Sequence, residues 1–565
     1  ADIFRGLLAV KGDLGGSWVV DAYYQYGTNT RKQVADRARV NTPFIYALDA
    51  VVDPNTGNIV CAETLEADPD PVSQGCVPMN LFGTSNLSQE AIDYVYRPIY
   101  EDFKFRQHAA SVSIRGALFE GRDAGPVGLA AGVDFRSENG DVYHHDIPNY
   151  EDYGLTFGLD YAGSIKVIET FGEINVPVFR DSPIGRSLEI DLAGRWTRNT
   201  SHNLVTDEKK TINAFSWKIG GIYQPFDMLR FRATRSRDIR VAGFRELFEI
   251  QAVAEAGSPQ GIVDNGNIPG SPGLGDDDTE VINGGSFALG AEKADTTTVG
   301  AVFEPSFIPG LRLGVDWYQI KIANAVTAVA RQQIVDYCED YNVFCDRITY
   351  ASPTDITFID ARLVNLGRFT ARGVDIEMEY RIPLDKVFAR AAGQLNLRVL
   401  GTYQYDFLIQ PSTDAPAIDF AGQSAQQRDN NDFNPAPKWR WTGFLSYKNG
   451  PFTATTAVRH VGSGKLDVTK TGPEDPGYDP SLPDSISTNR VKSATYVSIG
   501  MSYALPAFGR AEALELFGVV DNLFDKDPPV APGGGRAALG SAYPTNPIHF
   551  DTLGMRWKVG ARLKF

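Results

Sequence analysis

The sequence predicts an all-β protein, a transmembrane antiparallel β-barrel with short periplasmic turns and long extracellular loops. Two observations predict it. Apolar and polar residues alternate along most of the chain, and the connections between these alternating stretches are short and long in turn. Alternation with period two is typical of strands with two different faces. A regular exchange of short and long connections is typical of outer-membrane barrels.

About seventeen stretches show the alternation, each near the ~10 residues that a tilted strand needs to cross a bilayer. In 188–197, for example, Leu188, Ile190 and Leu192 share one face, and charged residues occupy the other. Stretches of this kind lie at 3–11, 18–27, 104–118, 126–136, 164–178, 188–197, 214–224, 227–237, 295–305, 311–321, 368–381, 395–405, 438–448, 451–461, 491–503, 512–522 and 553–565. Aromatic residues cluster towards the strand ends, where a membrane interface favours them. A large soluble β protein is the alternative, but these stretches do not pair into a compact sandwich.

The connections decide between these two alternatives. The short ones are 12–16, 120–126, 180–186, 224–227, 307–310, 448–451 and 505–512, with a moderate one at 382–393. The others are 28–103, 138–162, 198–210, 238–292, 323–366, 406–436, 463–490 and 523–552. A soluble sandwich has no reason to alternate them so regularly. Gly, Pro, Asp and Asn fill the short turns, as turn geometry requires.

Composition narrows the function classes. The formal net charge is −16, which argues against nucleic acid as a partner. No run approaches about 18 consecutive apolar residues, so the sequence predicts no transmembrane helix. The four cysteines form two close pairs, Cys61 with Cys76 and Cys338 with Cys345. Two loop-stapling disulfides in an oxidising compartment are expected, with four free thiols as the alternative.

Four short motifs resemble one family, the TonB-dependent outer-membrane receptors. The first, in 234–249, places Arg240 before Glu246, Leu247 and Phe248. The other three comprise Asn365, Gly367, Gly373 and Asp375; Asn522, Leu523, Phe524 and Asp525; and a last strand from Gly554 and Arg556 to Phe565. Each motif is weak alone, but four in the right order on the right strands are a strong signal. A terminal Phe565 on a periplasmic-side strand also resembles the assembly signal of outer-membrane barrels.

The resemblance covers the whole chain, 1–565, as a barrel domain without its N-terminal part. Receptors of this family carry a TonB box, a plug domain and a barrel of about twenty-two strands. Here neither box nor plug is found, and Ala1 already begins a strand. With seventeen strands, the first and last run the same way and cannot pair antiparallel, whereas bacterial barrels have an even number. The sequence therefore predicts that the plug and about five strands lie outside this chain.

Arginines on one predicted strand point to the barrel interior. Arg230 and Arg232 alternate with Leu229, Phe231 and Ala233. Turning these arginines towards lipid would cost ~2–4 kcal/mol each near the bilayer centre, so they are expected in the lumen. There they could pair with plug carboxylates, guide an anionic substrate, or pair with wall residues such as Glu189 and Asp191. Pairing with the wall or the plug is favoured over substrate contact.

Candidate substrate contacts lie in the two longest connections, since long loops are usually functional or disordered. The candidates are Tyr94, Tyr96 and Tyr100 in the first connection and Phe244 in the second. Phe44 and Tyr46 are further rings of the first connection. Aromatic rings clamp sugars and chelates, but packing within the loop is an equal alternative.

No metal or catalytic site is predicted. His144, His145 and Asp146 in a predicted outer loop form a possible metal cluster, but neighbours on an extended chain point to opposite faces, and a solvated loop is favoured. The acidic run Asp276–Asp278 with Glu280 lacks the spacing of a calcium loop, and a solvated loop tip is favoured. No nucleophile, acid/base pair or phosphate-binding motif is identifiable, so neither an enzyme nor a bound cofactor is expected.

The resemblance implies an outer-membrane receptor that binds a scarce nutrient at the cell surface and imports it into the periplasm. Its implied partners are the lipid bilayer, the barrel assembly machinery, a small-molecule nutrient and the energy-coupling protein TonB, reached through the plug. A passive diffusion porin is the main alternative, because a pore needs only the wall. A secreted β adhesin and an outer-membrane enzyme are weaker alternatives. Iron chelates, cobalamin, oligosaccharides and plant-derived aromatic compounds all remain open as substrates.

Overall fold

A computed structural model describes the fold. The described residues are 1–84, 86–119, 124–144, 153, 159–254, 279–352, 355–388, 391–410, 415–425, 437–506, 513–531 and 544–564. His145, Asp146, the acidic run 276–278 and Phe565 lie outside the described residues.

In the described residues, seventeen long strands form one antiparallel sheet in which each strand pairs with the next along the chain. They are β1 (Asp2–Gly15), β2 (Trp18–Arg39), β5 (Tyr96–Phe119), β6 (Val127–His144), β7 (Tyr161–Ser182), β8 (Gly185–Asn203), β9 (Lys209–Phe226), β10 (Leu229–Arg240), β13 (Glu292–Phe303), β14 (Leu311–Thr327), β17 (Val364–Pro383), β18 (Gln394–Gln410), β20 (Trp439–Asn449), β21 (Phe452–Val461), β24 (Ala494–Leu505), β25 (Ala513–Asp521) and β26 (Arg556–Lys564). A two-residue strand, β19 (Ile418–Asp419), adds to the edge of β18. The predicted fold class and strand number are confirmed.

The remaining elements lie in the long connections. The strands are β3 (Ala50–Val52), β4 (Ile59–Cys61), β11 (Ile250–Ala254), β12 (Glu280–Gly284), β15 (Ile348–Ser352), β16 (Asp355–Asp360), β22 (Gly464–Lys465) and β23 (Arg490–Val491). The helices are α1 (Asn41–Leu48), α2 (Gln89–Val95), α3 (Phe244–Phe248) and α4 (Arg331–Tyr341). In the described part of the chain, no helix is both long and apolar enough to cross a bilayer.

Two strands extend well beyond the lengths predicted from the sequence. β2 and β5 have 22 and 24 residues and stay paired up to Arg39 opposite Tyr96. Tyr96 and Tyr100 therefore lie on a strand, and the prediction that they lie in a loop is wrong. The upper part of β2, residues 28–39, is mostly polar on both faces, because beyond the apolar band neither face needs to meet lipid. The period-two signal fades there although the backbone pairing continues.

The sheet has one apolar and one polar face. Phe135 and Ile168 lie opposite each other on β6 and β7, and their side chains are 40% and 45% exposed. Arg195 lies on the other face, where its Nη1 donates to Asp134 Oδ2 (2.9 Å) and Glu169 Oε2 (2.6 Å). A sheet with exposed apolar residues outside and ion pairs inside is typical of a barrel wall in a membrane.

Aromatic residues mark both ends of the outward face. Near the long connections, Tyr403 stacks on Trp439 with ring centroids 4.5 Å apart, and Trp317 Nε1 donates to Tyr405 Oη (2.6 Å). Near the short turns, Phe303 contacts Phe307, and Tyr447 contacts Phe452. These two belts delimit the apolar band, as aromatic girdles do in barrels.

The first and last strands are the edges of the sheet. β1 leads into a short turn and β26 follows a long connection, so both run towards the short-turn side. Among the described residues, β1 pairs only with β2 and β26 only with β25.

Candidate functional site

Arg240 joins four elements at the outer end of the wall. Its Nη1 donates to both carboxylate oxygens of Glu246 (2.9 and 2.8 Å), and its Nε donates to Glu292. Glu246 Oε2 accepts the backbone N–H of Gly243 (2.6 Å), and Glu292 Oε1 accepts that of Val326 (2.6 Å). Burial opposes the charge on Glu246, but the bonds from Arg240 and Gly243 outweigh it and hold the pKa of Glu246 below its ordinary value. The network fixes α3 to β10, β13 and β14.

The rings of α3 pack on the inner wall of two strands that are not its sequence neighbours. Gly140 of β6 and Gly163 of β7 lie opposite each other, and a Cβ on either would meet a ring of α3. At Gly163 that distance to Phe248 would be 2.5 Å, and at Gly140 the distance to Phe244 would be 2.5 Å. Phe244 is only 9% exposed and contacts Phe105 edge-on, with centroids 5.4 Å apart. Phe244 therefore packs in a core, and a ligand would have to displace it.

Two asparagines of the other family motifs hydrogen-bond to main-chain groups. Asn365 Oδ1 accepts the N–H of Gly290 (2.7 Å), and its Nδ2 donates to the carbonyl of Asn324 (2.7 Å). Asn522 is 3% exposed and has a positive φ of 48°. Its amide donates to Asp551 Oδ2 (2.9 Å) and to the carbonyl of Lys526 (3.1 Å). These two asparagines position the ends of connections, and Asn365 also contributes to the lining of a cavity beside β9 and β10.

Gly373 provides space for a ring. A Cβ there would meet Cζ of Tyr318 at 2.6 Å and the carbonyl oxygen of Tyr403 at 2.7 Å. Any larger residue would push Tyr318 off β17, so the motif glycine is a packing requirement.

Two long connections fold together into one unit beyond the ends of the wall strands, which we call the crown. Its sheet has the order β11-β12-β16-β15, and β12 pairs with β16 in parallel although about 70 residues separate them in the chain. Its core contains Val281, Val329, Ile334, Val335, Ile348, Ile356, Ile359, Ala361 and Val364. Cys338 and Cys345 form a disulfide at the end of α4, with their Cα atoms 4.8 Å apart. The crown is a folded surface above the barrel wall.

Charged residues also fix the crown. Arg362 donates twice to Asp360, at 2.9 and 2.7 Å, and Arg347 Nη1 donates to the backbone carbonyl of Asp360 (2.9 Å). Burial opposes ionisation of Asp360, but its bonds with Arg362 lower its pKa below the ordinary value.

The first long connection has its own small core. Cys61 and Cys76 form a disulfide with their Cα atoms 6.2 Å apart, and Ala47, Met79, Ala91, Tyr94 and Val95 are buried beside it. Tyr94 lies on α2 and donates its hydroxyl to the carbonyl of Val72 (2.9 Å). Tyr46 donates to Asp70 Oδ2 (2.9 Å), and this bond, with burial, raises the pKa of Tyr46 to about 12. These two rings pack within the connection, whereas Tyr100 on β5 is 41% exposed.

The predicted lumenal arginines lie on the inner face. Arg232 donates from Nε to Asp316 Oδ1 (2.7 Å) and from Nη2 to Asp316 Oδ2. Its partner is thus a wall carboxylate, although neither Glu189 nor Asp191. Arg230 is exposed and has no hydrogen-bond or ion-pair partner among the described residues.

A cavity of about 570 Å³ lies beside this row, lined by Asp316, Asp375, Glu377, Arg440, Arg459 and His549. Arg459 lies over the ring of Tyr496, 5.0 Å from its centroid. The mixture of cations and carboxylates makes a polar, nearly charge-balanced wall, which suits passage of a hydrated solute more than selection of one sign of charge.

His144 is buried at the end of β6, whereas the sequence indicated it only as part of a possible metal cluster. Its Nδ1 lies 3.1 Å from Asp160 Oδ1 and its Nε2 lies 3.4 Å from Glu101 Oε2. Glu101 also accepts from Arg31. In the part of the chain that the structure describes, no group of three or more His, Cys, Asp or Glu side chains is arranged to hold a metal. The pairing of β5 with β6 places Glu101 opposite His144, so no local motif in the sequence signals this contact.

Comparison with known proteins decides the family. The family model described as "TonB dependent receptor-like, beta-barrel" matches residues 5–523. The chain belongs to this family. The sequence resemblance is thereby confirmed. A search of curated protein sequences gives no match.

Solved structures of receptors share the fold. The FrpB iron transporter from Neisseria meningitidis aligns with a TM-score of 0.52 at 13% identity, over 99% of this chain and 62% of its own. The siderophore receptor PirA from Acinetobacter baumannii gives 0.52 at 11% identity, over 100% and 62%. The ferric enterobactin receptor PfeA from Pseudomonas aeruginosa gives 0.53 at 13%, over 99% and 62%. At such identities the likeness shows the fold alone, and the chain spans about three fifths of the length of these proteins.

Proposed function

We propose that the chain forms the wall and the extracellular binding surface of an outer-membrane receptor that imports a scarce nutrient with energy delivered through TonB. The observation that carries the proposal is the family match over residues 5–523. The outward apolar band between two aromatic belts supports placement in the outer membrane, which the barrel assembly machinery would bring about.

The extracellular side supports a receptor over a passive pore. A diffusion porin needs only the wall, whereas here two long connections fold into the crown, and the first connection carries its own disulfide-linked core. A surface fixed before the ligand arrives loses less conformational entropy on binding. Contact with the substrate is therefore proposed for this side, with the exposed Tyr100 and with Tyr96 on the same strand as candidate contacts.

A metal chelate is the substrate class to test first. The similar structures are named for iron, a siderophore and ferric enterobactin, and another is the copper transporter OprC, aligned with a TM-score of 0.53 at 12% identity. Cobalamin, oligosaccharides and plant-derived aromatic compounds form the other arms of the same test.

The test is a deletion of the natural gene, with uptake of each radiolabelled compound compared between the deletion strain and its parent. The proposal expects one class to lose saturable, high-affinity uptake in the deletion strain and to regain it from a plasmid copy. Unchanged uptake of every class, together with loss of slow, non-saturable entry of many small solutes, would favour the diffusion pore instead.

A further inference from the structure

The wall contains an outward-facing cleft between β9 and β10. These two strands pair from Phe226 opposite Leu229 up to Trp217 opposite Arg237. Above that level, in the described residues, β9 pairs only with β8 and β10 only with β13. The strands thus separate at their outer ends, and a cavity of about 410 Å³ fills the gap.

The inner side of the cleft is spanned by a lysine. Lys210 Nζ donates to the carbonyl oxygens of Ala288 and Leu289, each at 2.7 Å. Side chains alternate between the faces of a strand, so Lys209, Asn213 and Phe215 point to the opposite, outward side. The cleft therefore opens towards the lipid side of the wall.

Cations surround the mouth of the cleft. Asn213, Arg237 and Lys293 line it. Arg198 lies directly opposite Asn213 on the neighbouring strand, on the same outward face. Arg237 is held by both carboxylate oxygens of Asp295 at 2.9 Å, but Arg198 and Lys293 are exposed and have no acidic partner within the described residues. Two unpaired cations converge here in a chain whose net charge is −16.

Apolar rings lie directly below these cations. Phe215 lines the cleft and pairs across the strands with Trp196, and these side chains are 57% and 40% exposed. Ile219, two positions further along the outward face of β9 towards the membrane centre, is 46% exposed. A cationic upper rim above an apolar lower surface matches a molecule with an anionic head and an apolar tail.

We propose that this cleft binds the phosphorylated headgroup of a lipid in the outer leaflet. Arg198 and Lys293 contact the phosphate from the two sides, the Asn213 amide donates to it, and the acyl chain lies along Trp196 and Phe215. A lipid fits better than a free anion because the cleft opens outwards at the level where the apolar band ends. A free anion would leave the rings exposed.

The experiment uses the folded protein in zwitterionic detergent micelles, with phosphatidic acid as the probe lipid and native mass spectrometry as the readout of bound lipid. The Arg198→Gln/Lys293→Gln variant is expected to bind phosphatidic acid about tenfold more weakly. Asn213→Trp, which fills the cleft without changing charge, is expected to lose binding too.

Lys104→Gln/Lys166→Gln is the matched control, because it removes two exposed cations from the same outward face outside the cleft. Heat-modifiable gel mobility verifies that every variant is folded.

Equal losses in the cleft variant and the control variant would overturn the proposal, because binding would then reflect diffuse attraction to the outward face. Displacement of phosphatidic acid by an equal concentration of inorganic phosphate would also overturn it, because the site would then select a soluble anion. Full binding by Asn213→Trp would place the lipid elsewhere.

Discussion

At the scale of single residues, the side chains of the family motifs act mainly on backbone. Asn365 hydrogen-bonds to main-chain groups far along the chain, Asn522 hydrogen-bonds to the main chain of the nearby Lys526, and Glu246 caps α3 through the N–H of Gly243. The sequence identified these residues because their spacing matches the family motifs. Spacing alone did not show that their side chains stabilise the fold. The partners came together only through the register of the sheet.

Glu246→Gln tests the Arg240 network. The variant leaves the Arg240 guanidinium with a weaker partner, so docking of α3 should lose about 1 kcal/mol, a modest figure because Arg240 is half exposed. The measurement is hydrogen–deuterium exchange of residues 243–249, which should quicken severalfold. Glu304→Gln, which breaks an exposed pair with Arg312 at a short turn, is the control and should change nothing.

The same pair predicts a pH dependence. The pKa of Glu246 is lower in the folded protein than its ordinary value of 4.5, so its stabilisation is present above that value and is lost as the pH falls through the folded pKa. Hydrogen–deuterium exchange of residues 243–249 should be measured over a range of pH and corrected for the intrinsic exchange rate. The wild type and Glu246→Gln should then differ most at neutral pH and not at all in acid. A difference that persists unchanged in acid would contradict the role of this charge.

Gly163→Ala tests the seat of α3 on the inner wall. The added Cβ would lie 2.5 Å from the Phe248 ring, so the ring must move and α3 must loosen. Chymotryptic cleavage after Phe244 or Phe248 should become faster. Gly172→Ala on the same strand is matched, because a Cβ there meets nothing within 4 Å, and should cleave like the wild type. Equal cleavage of the two variants would show that α3 is not held by this contact.

At the scale of elements, the wall could be predicted from the sequence and the crown could not. Wall strands repeat a period-two pattern because one face meets lipid and the other meets water. Each wall strand therefore alternates apolar and polar residues. β12 and β16 have no such asymmetry, and their parallel pairing joins two connections about 70 residues apart. The upper part of β2 and β5 was missed for the same reason, since it lies outside the bilayer.

Val281→Asp tests whether the crown is an independent folded unit. Val281 is fully buried in the crown core, and an unpaired carboxylate there would cost several kcal/mol. The crown should become sensitive to trypsin while heat-modifiable mobility of the barrel is retained. Ile45→Asp is the control, because Ile45 is 61% exposed on the first connection and should leave the crown resistant. Loss of the whole barrel in Val281→Asp would show that crown and wall fold as one unit.

At the scale of the whole molecule, the account rests on a wall with opposite chemistry on its two faces and a fixed surface at one end. The outward face carries an apolar band between aromatic belts, and the inward face carries ion pairs such as Arg232 with Asp316. This arrangement suits a membrane receptor, but a wall alone would equally serve diffusion. What separates these functions is whether transport consumes energy.

The measurement that tests this most directly is uptake of the substrate found by gene deletion, in cells with and without a functional TonB protein. The account predicts that surface binding is retained and that accumulation in the periplasm stops when TonB is absent. Accumulation at an undiminished rate in cells without TonB would contradict energy-coupled import and make passive diffusion the function of this barrel.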